Sequence, residues 1–449
     1  MLKIYNTLSR KKEIFKPIKG KKVNIFVCGI TPYSEAHIGH AKTYIQFDII
    51  VKYLRFLGYN VFYLQNITNI DDKIIQRAKE EKKDPLKLAE EYEKKFHEDM
   101  KKLYVNSINK FARATNYIPQ IISQVKRLIE KGYAYKISDG YYFDLKKFSD
   151  YGKLAKRTYQ EAEDAISRID ENQEKRNKGD FCLWKFSKKD EPSWKAGFGN
   201  GRCGWHIEDT AITEKVFGPQ YDIHGGAVDL IFPHHEAEIA QMESISGKKP
   251  VVKYWIHTAF LNIDKKKMSK SLGNVITIRE VLKKYESKVI RYFFASNHYR
   301  TPINFSYDVL EQSKNSLQRL NDFVNNLKNS KKKDDLNSII KTKQALINAM
   351  NDDFDTPQAF SIVFDFVRKV NKIGGSKKSY ELMLDIDKIF NILTIQKSTV
   401  PKKIEKLIKE REIARKNNDW KKADVTRGKI NALGYIIEDS IYGPIIKKK

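Results

Sequence analysis

The sequence predicts an α/β chain built around a parallel sheet, and two local patterns carry that prediction. Val23-Asn24-Ile25-Phe26-Val27-Cys28-Gly29 is a short β-branched and aromatic run ending in glycine, which reads as a buried strand. Apolar residues then recur at Phe47, Ile50, Val51, Leu54 and Leu57 before Gly58, the spacing of a helix with a glycine stop. Val61-Phe62-Tyr63-Leu64 supplies a second strand, completing the strand, helix, strand unit from which parallel sheets are made.

Beyond this unit, a charged, helix-patterned stretch runs from about Ile74 to Gly132, and Tyr141-Tyr142-Phe143-Asp144 turns aromatic and strand-like. Residues Asp170 to Gly179 are mostly polar. Sheet-like runs such as Gln220-Tyr221-Asp222-Ile223-His224 resume afterwards, so the intervening part is predicted to be an insertion in the α/β domain. Lys328 to Asp335 and Ile373 to Ser379 are predicted loops, flanked by helical periodicity over Leu317 to Leu327 and Ala359 to Val370. Ile404, Leu407, Ile408, Arg411 and Ala414 share a helical face; the pattern breaks near Asn417-Asn418-Asp419 and resumes to Gly434, which predicts a helical hairpin with a basic tail after it.

The length of 449 residues asks for two to four domains at roughly 100–200 residues each. Three cysteines exclude a disulfide scaffold, and 41% hydrophobic residues exclude a disordered chain. No run approaches the roughly 18 apolar residues of a membrane helix. The start has no apolar leader region, so a cytoplasmic location with reduced thiols is expected. The formal charge of +28 fits a polyanionic partner, most simply a nucleic acid, and fits equally a Lys-rich surface set by biased composition.

A second signal separates these readings. His37-Ile38-Gly39-His40 stands where the first strand hands over to the first helix, and a helix N-terminus there favours phosphate. Two imidazoles can donate to phosphate oxygens, and Gly39 lets a flat nucleotide approach the backbone. Two surface histidines at a helix start would look the same. Lys267-Met268-Ser269-Lys270-Ser271, before Leu272-Gly273, puts two ammonium groups on a hydroxyl-bearing loop suited to clamping a triphosphate. A chance match to both, in this order, is on the order of one in a thousand or less.

With these two signatures the chain resembles the class I aminoacyl-tRNA synthetases and, more narrowly, the cysteinyl-tRNA synthetases, over nearly its whole length. Further matches are Cys28-Gly29, Asn66-Ile67-Thr68 with Ile70-Asp71-Asp72-Lys73, Gly204-Trp205-His206-Ile207-Glu208, and Asp222-Ile223-His224-Gly225-Gly226. Phe232-Pro233-His234-His235-Glu236 with Glu238, and Asp352-Asp353-Phe354-Asp355-Thr356-Pro357, complete the set. The resemblance implies that L-cysteine attacks the α-phosphate of ATP and that the cysteinyl group passes from the adenylate to tRNA(Cys). His37, His40, Lys267 and Lys270 would act on the triphosphate. Gly39, Gly225, Gly226, Asp229 and Lys270 would bind ATP, with Mg2+ accompanying it. Cys28, Thr68, Trp205 and His206 would face the amino acid.

The resemblance also implies a zinc ion that separates cysteine from serine, because a soft thiolate suits zinc and a protonated hydroxyl does not. The family holds it with two cysteines, a histidine and a glutamate. Cys28, His234 and Glu238 match, the last two sharing a face if their segment is helical. The second cysteine is replaced by Asp209. A site of Cys28, Asp209, His234 and Glu238 is favoured, harder and weaker than the family's; Cys203 as a substitute, or loss of the metal, are the other readings. Milder departures are Asn69 for an aspartate, Ala227 for a third glycine, and Gly428 where an aspartate commonly follows arginine.

The architecture so implied has a Rossmann-like catalytic domain over 1–110 and 205–260, split by a connective insertion over 111–204. A stem-contact segment (261–309), a tRNA-binding helical bundle (310–398) and a C-terminal anticodon-binding domain (399–449) follow. A monomer without membrane attachment is expected. Two other functions stay open: a ligase that passes activated cysteine to a small amine, and a non-catalytic tRNA-binding paralogue.

Overall fold

The structure, a computed structural model, describes residues 1–157, 161, 172–264, 266–268, 273–395, 401–440 and 443–448. It divides into two compact units, one of residues 1–310 with 349–357 and one of 311–348 with 358–449.

The first unit is organised by a five-stranded parallel sheet in the order Val252–Thr258, Tyr221–Ala227, Lys22–Ile30, Asn60–Ile67, Lys110–Arg113. Numbered along the chain this is 5-4-1-2-3, so the winding reverses direction between the first strand and its Tyr221–Ala227 neighbour. In a sheet of this kind such a reversal leaves a crevice beyond the carboxyl ends of the two strands. The strands are apolar because both faces are covered: Ile25, Phe26 and Val27 have no exposed surface. The crossover helix, Ile38–Phe56, buries most of its length and ends before Gly58, whose φ of +85° is the left-handed stop the sequence predicts.

Lys110–Arg113 straddles the expected boundary at 110/111 and belongs to the parallel sheet through its pairing with Asn60–Ile67. Its four residues are too few for a periodicity signal among charged neighbours. After it come the helix Ile118–Glu130 and a four-stranded antiparallel sheet of Ala134–Ile137, Gly140–Phe143, Phe181–Phe186 and Gly201–Cys203.

The second unit contains the helices Leu336–Asn351 (to residue 348), Thr356–Ile373 (from residue 358) and Lys377–Phe390, and the hairpin of Lys402–Lys416 and Trp420–Ala432. The predicted loop 373–379 is shorter than expected, because the last of those positions open the helix at Lys377. The basic tail is also structured: Tyr435–Ser440 and Gly443–Lys448 pair as an antiparallel ribbon. Lysines at its end obscured the adjacent apolar pairs Ile436-Ile437 and Ile445-Ile446. Gly428, within Trp420–Ala432, has open space where a side chain would project.

Candidate active site and metal centre

The crevice at the winding reversal is a cleft of about 390 Å³, lined by Cys28, His37, His40, Lys73, Trp205 and Asp229 among others. His37 caps the Ile38–Phe56 helix: its Nδ1 accepts from the His40 amide at 3.4 Å and the His40 ring accepts from the His37 amide at 3.2 Å. This reciprocal cap stacks the two imidazoles, with centroids 3.7 Å apart and planes at 13°, beside the positive end of a 19-residue helix. The segment leading into this helix is bound to the one after the lysine-rich loop, Ile38 N donating to Ile276 O at 3.0 Å and Ile278 N to Ala36 O at 2.9 Å. Met268 and Val275 both line the cleft. Lys270 lies outside the described residues, and of Lys267 the structure describes the backbone alone, in a strand with Lys266.

Beneath the cleft lies a buried polar cluster. Cys28 Sγ is 3.1 Å from His235 Nε2, 3.4 Å from Asp209 Oδ2, 3.5 Å from His224 Nε2 and 4.0 Å from Glu238 Oε1. His234 Nε2 is 3.1 Å from Asp209 Oδ2 and 3.2 Å from Glu238 Oε1. One π-type turn, Ile231–His235, runs into the helix Glu236–Ser246 and so puts His234 and Glu238 on a common face. Asp209 enters from the first turn of the helix Ile207–Phe217, and His224 from the strand beside Cys28. The remaining ring nitrogens are also engaged: His224 Nδ1 meets Tyr221 Oη at 2.6 Å, His235 Nδ1 meets His257 Nε2 at 2.8 Å, and His234 Nδ1 meets His206 Nδ1 at 2.7 Å.

Burial dominates the electrostatics. It pushes the Cys28 thiol up, helped by Asp209 and Glu238, and pushes Glu208 and Glu238 up, each further raised by Asp209. It pulls His206, His224 and His235 well below the usual imidazole range and His257 down to about 3, so these rings are neutral. Among the described residues, the ion pairs of Asp209 and Glu238 are with histidines alone. A thiol and carboxyls gathered out of water without lysine or arginine suit a bound dication, which reverses these shifts. Two sets of four donors have ligand atoms within 4.8 Å of one another: Cys28, Asp209, His234, Glu238 and Cys28, His224, His235, Glu238.

The other residues singled out in the sequence fall around these two features. Ala227 and Asp229 line the cleft, whereas Gly225 and Gly226 lie behind it. A Cβ on Gly225 would meet the Phe47 ring at 2.3 Å, and one on Gly226 would meet His235 Cε1 at 2.9 Å. The space beside Gly39 is taken by Met268 Cε, 2.8 Å from such a Cβ, and by His37. Gly39 lines the cleft, whereas Gly225 and Gly226 face protein side chains. Thr68 is buried and donates to Glu208, while Trp205 lines the cleft and stacks on His234 with centroids 4.4 Å apart. Cys203 stands in neither donor set; it pairs with Trp184 in the antiparallel sheet. Asn69 exchanges two hydrogen bonds with Thr115, donating to its hydroxyl and accepting from its amide; an aspartate there could keep both contacts by accepting from the hydroxyl as well. His224, His235, His257, Glu208 and Asn66 have no place in the predicted site.

A parallel sheet with a histidine-capped helix N-terminus at its switch point is the framework of a nucleotide-handling α/β enzyme, and residues 14–315 match the family described as tRNA synthetases class I (C) catalytic domain. Residues 345–394 match the DALR domain and residues 398–442 the cysteinyl-tRNA ligase anticodon binding domain. The chain belongs to the cysteinyl-tRNA ligase family of class I tRNA synthetases. It is 46% identical over 448 residues to a cysteine–tRNA ligase of Thermoplasma volcanium, with 97% of each chain covered. It is 43% identical over 464 residues to one of Coxiella burnetii, covering 98% of this chain and 99% of that one. Among solved structures, methionyl-tRNA synthetase of Mycobacterium tuberculosis in complex with methionyl-adenylate shares the fold. The TM-score is 0.61 at 15% identity, over 82% of this chain and 88% of that one.

Proposed function

We infer that the chain is a cysteine–tRNA ligase: it joins L-cysteine to ATP, releasing pyrophosphate and forming cysteinyl-adenylate, and then transfers the cysteinyl group to tRNA(Cys). The observation that carries this reading is the cleft that opens between the paired histidines at the helix N-terminus on one side and a buried thiol, imidazole and carboxylate cluster on the other. The reaction develops charge on phosphate oxygens, so positioning and electrostatic stabilisation do most of the work. His37 and His40, fixed by their mutual cap, donate to the departing pyrophosphate, with Lys267 and Lys270 completing the clamp around Mg2+-bound ATP. Asp229 accepts from the ribose hydroxyls. Lys73, with its ammonium 6.0 Å from the Trp205 ring centroid, adds positive charge to the same wall.

The buried cluster holds one zinc per chain, with Cys28 and Glu238 common to both possible donor sets, and Asp209 makes the first set harder than a two-cysteine site. Bound there, zinc supplies a soft acceptor for the substrate thiolate and so discriminates against serine. Trp205, His206 and Thr68 shape the amino acid pocket around it. The C-terminal residues that resemble an anticodon-binding domain favour tRNA over a small amine as acceptor. The excess of basic residues suits that partner. A monomer acting in the cytoplasm is the assembly and location this reading expects; no helix among the described residues is long and apolar enough to cross a membrane.

The experiment is cysteine-dependent exchange between ATP and pyrophosphate, with serine as competitor and zinc measured on the same sample. Exchange with cysteine and not serine, at one zinc per chain, is expected. Absence of exchange with any amino acid removes the enzyme reading, and equal use of serine removes metal selectivity.

A further inference from the structure

We propose that Lys42 is a positioning residue for ATP: its buried amino group fastens the cleft wall of residues 259–261 to the helix that begins at the two stacked histidines. The proposal rests on the reading of the cleft as an ATP site and adds a residue to it.

Lys42 lies in the first turns of the Ile38–Phe56 helix and borders the cleft, yet only 1% of it is exposed. In its protonated form the side chain offers three donors. Nζ has three protein acceptors: Ala259 O at 2.6 Å, Gln46 Oε1 at 3.1 Å and Tyr299 O at 3.4 Å. Donors engaged in this way leave none for a phosphate, so the group acts through what it holds. All three acceptors are neutral, and among the described residues no carboxylate pairs with Lys42. A methionine of similar reach would fill the same space without the cost of burying an amino group, so packing alone does not account for a lysine here.

What it holds is the wall beside Asp229. Ala227 pairs with Thr258 across the last two strands of the sheet, so Ala259 leaves its strand next to the turn that carries Asp229, and Ala259, Phe260 and Leu261 all border the cleft. The Ala259 amide donates to Tyr299 O at 2.8 Å, so Ala259 and Lys42 share that acceptor. Tyr299 is fixed in turn, its Oη donating to Asp353 Oδ1 at 2.7 Å. Thr43 Oγ1 lies 2.9 Å from Thr258 Oγ1, so successive residues of the helix grip the same strand end. The tie between this helix and the strand of Cys28 is a separate one, Tyr44 Oη donating to Cys28 O at 3.3 Å. Lys42 therefore sets how the histidine-bearing helix stands against the nucleoside side of the cleft, and Tyr44 serves the thiol side.

The test is cysteine-dependent exchange between ATP and pyrophosphate by the full chain, Lys42→Met and Lys42→Arg, with KM measured separately for ATP and for cysteine. Lys42→Met keeps the stem and loses the donors; its KM for ATP should rise about tenfold or more while its KM for cysteine stays within about twofold of the parent's. Lys42→Arg, whose guanidinium can still donate to Ala259 O, should recover most of the loss. Should Lys42→Met fail to fold, Lys42→Gln, shorter and neutral, carries the same expectation. An unchanged KM for ATP, an equal rise in both KM values, or an arginine variant no better than the methionine one overturns the role of Lys42 and leaves the ATP site in place. A folded parent chain without exchange on any amino acid overturns both.

Discussion

The Asn66 side-chain amide donates to Asp209 Oδ1 at 2.5 Å and leaves Asp209 Oδ2 turned toward Cys28 Sγ. Asn66 thereby orients the carboxylate that stands where the family has a cysteine. Its Oδ1 accepts from the Gly29 amide at 2.5 Å, so the same side chain also fixes the strand end that carries Cys28. Asn66→Leu should loosen both elements and lower zinc affinity by about 10- to 100-fold, the range for losing an outer partner of a metal site. Competition with a chromogenic chelator measures it, and unchanged affinity would show that Asn66 has no part in ordering the cluster.

The His37 and His40 rings stack at 3.7 Å and cap the helix as a pair, so their roles should not add. Either His40→Asn or His37→Asn is expected to lower the rate of adenylate formation by about 10²- to 10³-fold, as for loss of one preorganised donor. The double variant should be less impaired than the product of the two. Single-turnover formation of the adenylate is the readout, and a rate within error of the parent would remove these residues from phosphate stabilisation.

Lys42 is buried with Nζ donating to Ala259 O at 2.6 Å, Gln46 Oε1 at 3.1 Å and Tyr299 O at 3.4 Å. Burial draws its ammonium down to about 7, whereas a lysine of the unfolded chain titrates near 10.4. Between those values the unfolded state holds the extra proton, so this group makes stability rise with pH across that window and fall as pH drops toward 7. Lys42→Met should flatten the slope between about pH 7 and pH 10 in denaturant melts, whatever its effect on the absolute stability. A slope equal to the parent's would mean that Lys42 keeps its proton throughout.

In the second unit, Asp334 accepts from the backbone amides of Ser376, Lys378 and Ser379 and from two serine hydroxyls. Partial burial raises its carboxyl, but these donors outweigh burial and bring it down to about 2. Its contribution is therefore present above the ordinary aspartate range and lost as pH falls through 2. Asp334→Ala should cost about 1 kcal/mol at pH 7, the size of a capping loss at a solvent-screened position. The difference from the parent should shrink toward pH 3, as urea unfolding followed at both values would show.

The regular elements were legible because their cause is local. A β-branched run buries a strand and apolar residues three and four apart bury a helix face, so the Lys22–Ile30 strand and the Ile38–Phe56 helix follow from spacing alone. His37 and His40 were legible for a related reason: four consecutive residues at a strand-to-helix junction share one geometry. The neighbours of the glycines were not legible: Gly39 lines the cleft with Met268 against it, and Gly225 and Gly226 pack on Phe47 and His235, side chains far away in sequence.

What the sequence by itself determined is the α/β class, the family and the aspartate at position 209, because each is written in contiguous residues. Only the tertiary structure decided which donors meet Cys28. His224 sits on the neighbouring strand and His235 on a turn beyond it, and each looks bland in its own segment. They converge because parallel pairing brings strand ends into register and burial leaves polar groups no partners except one another.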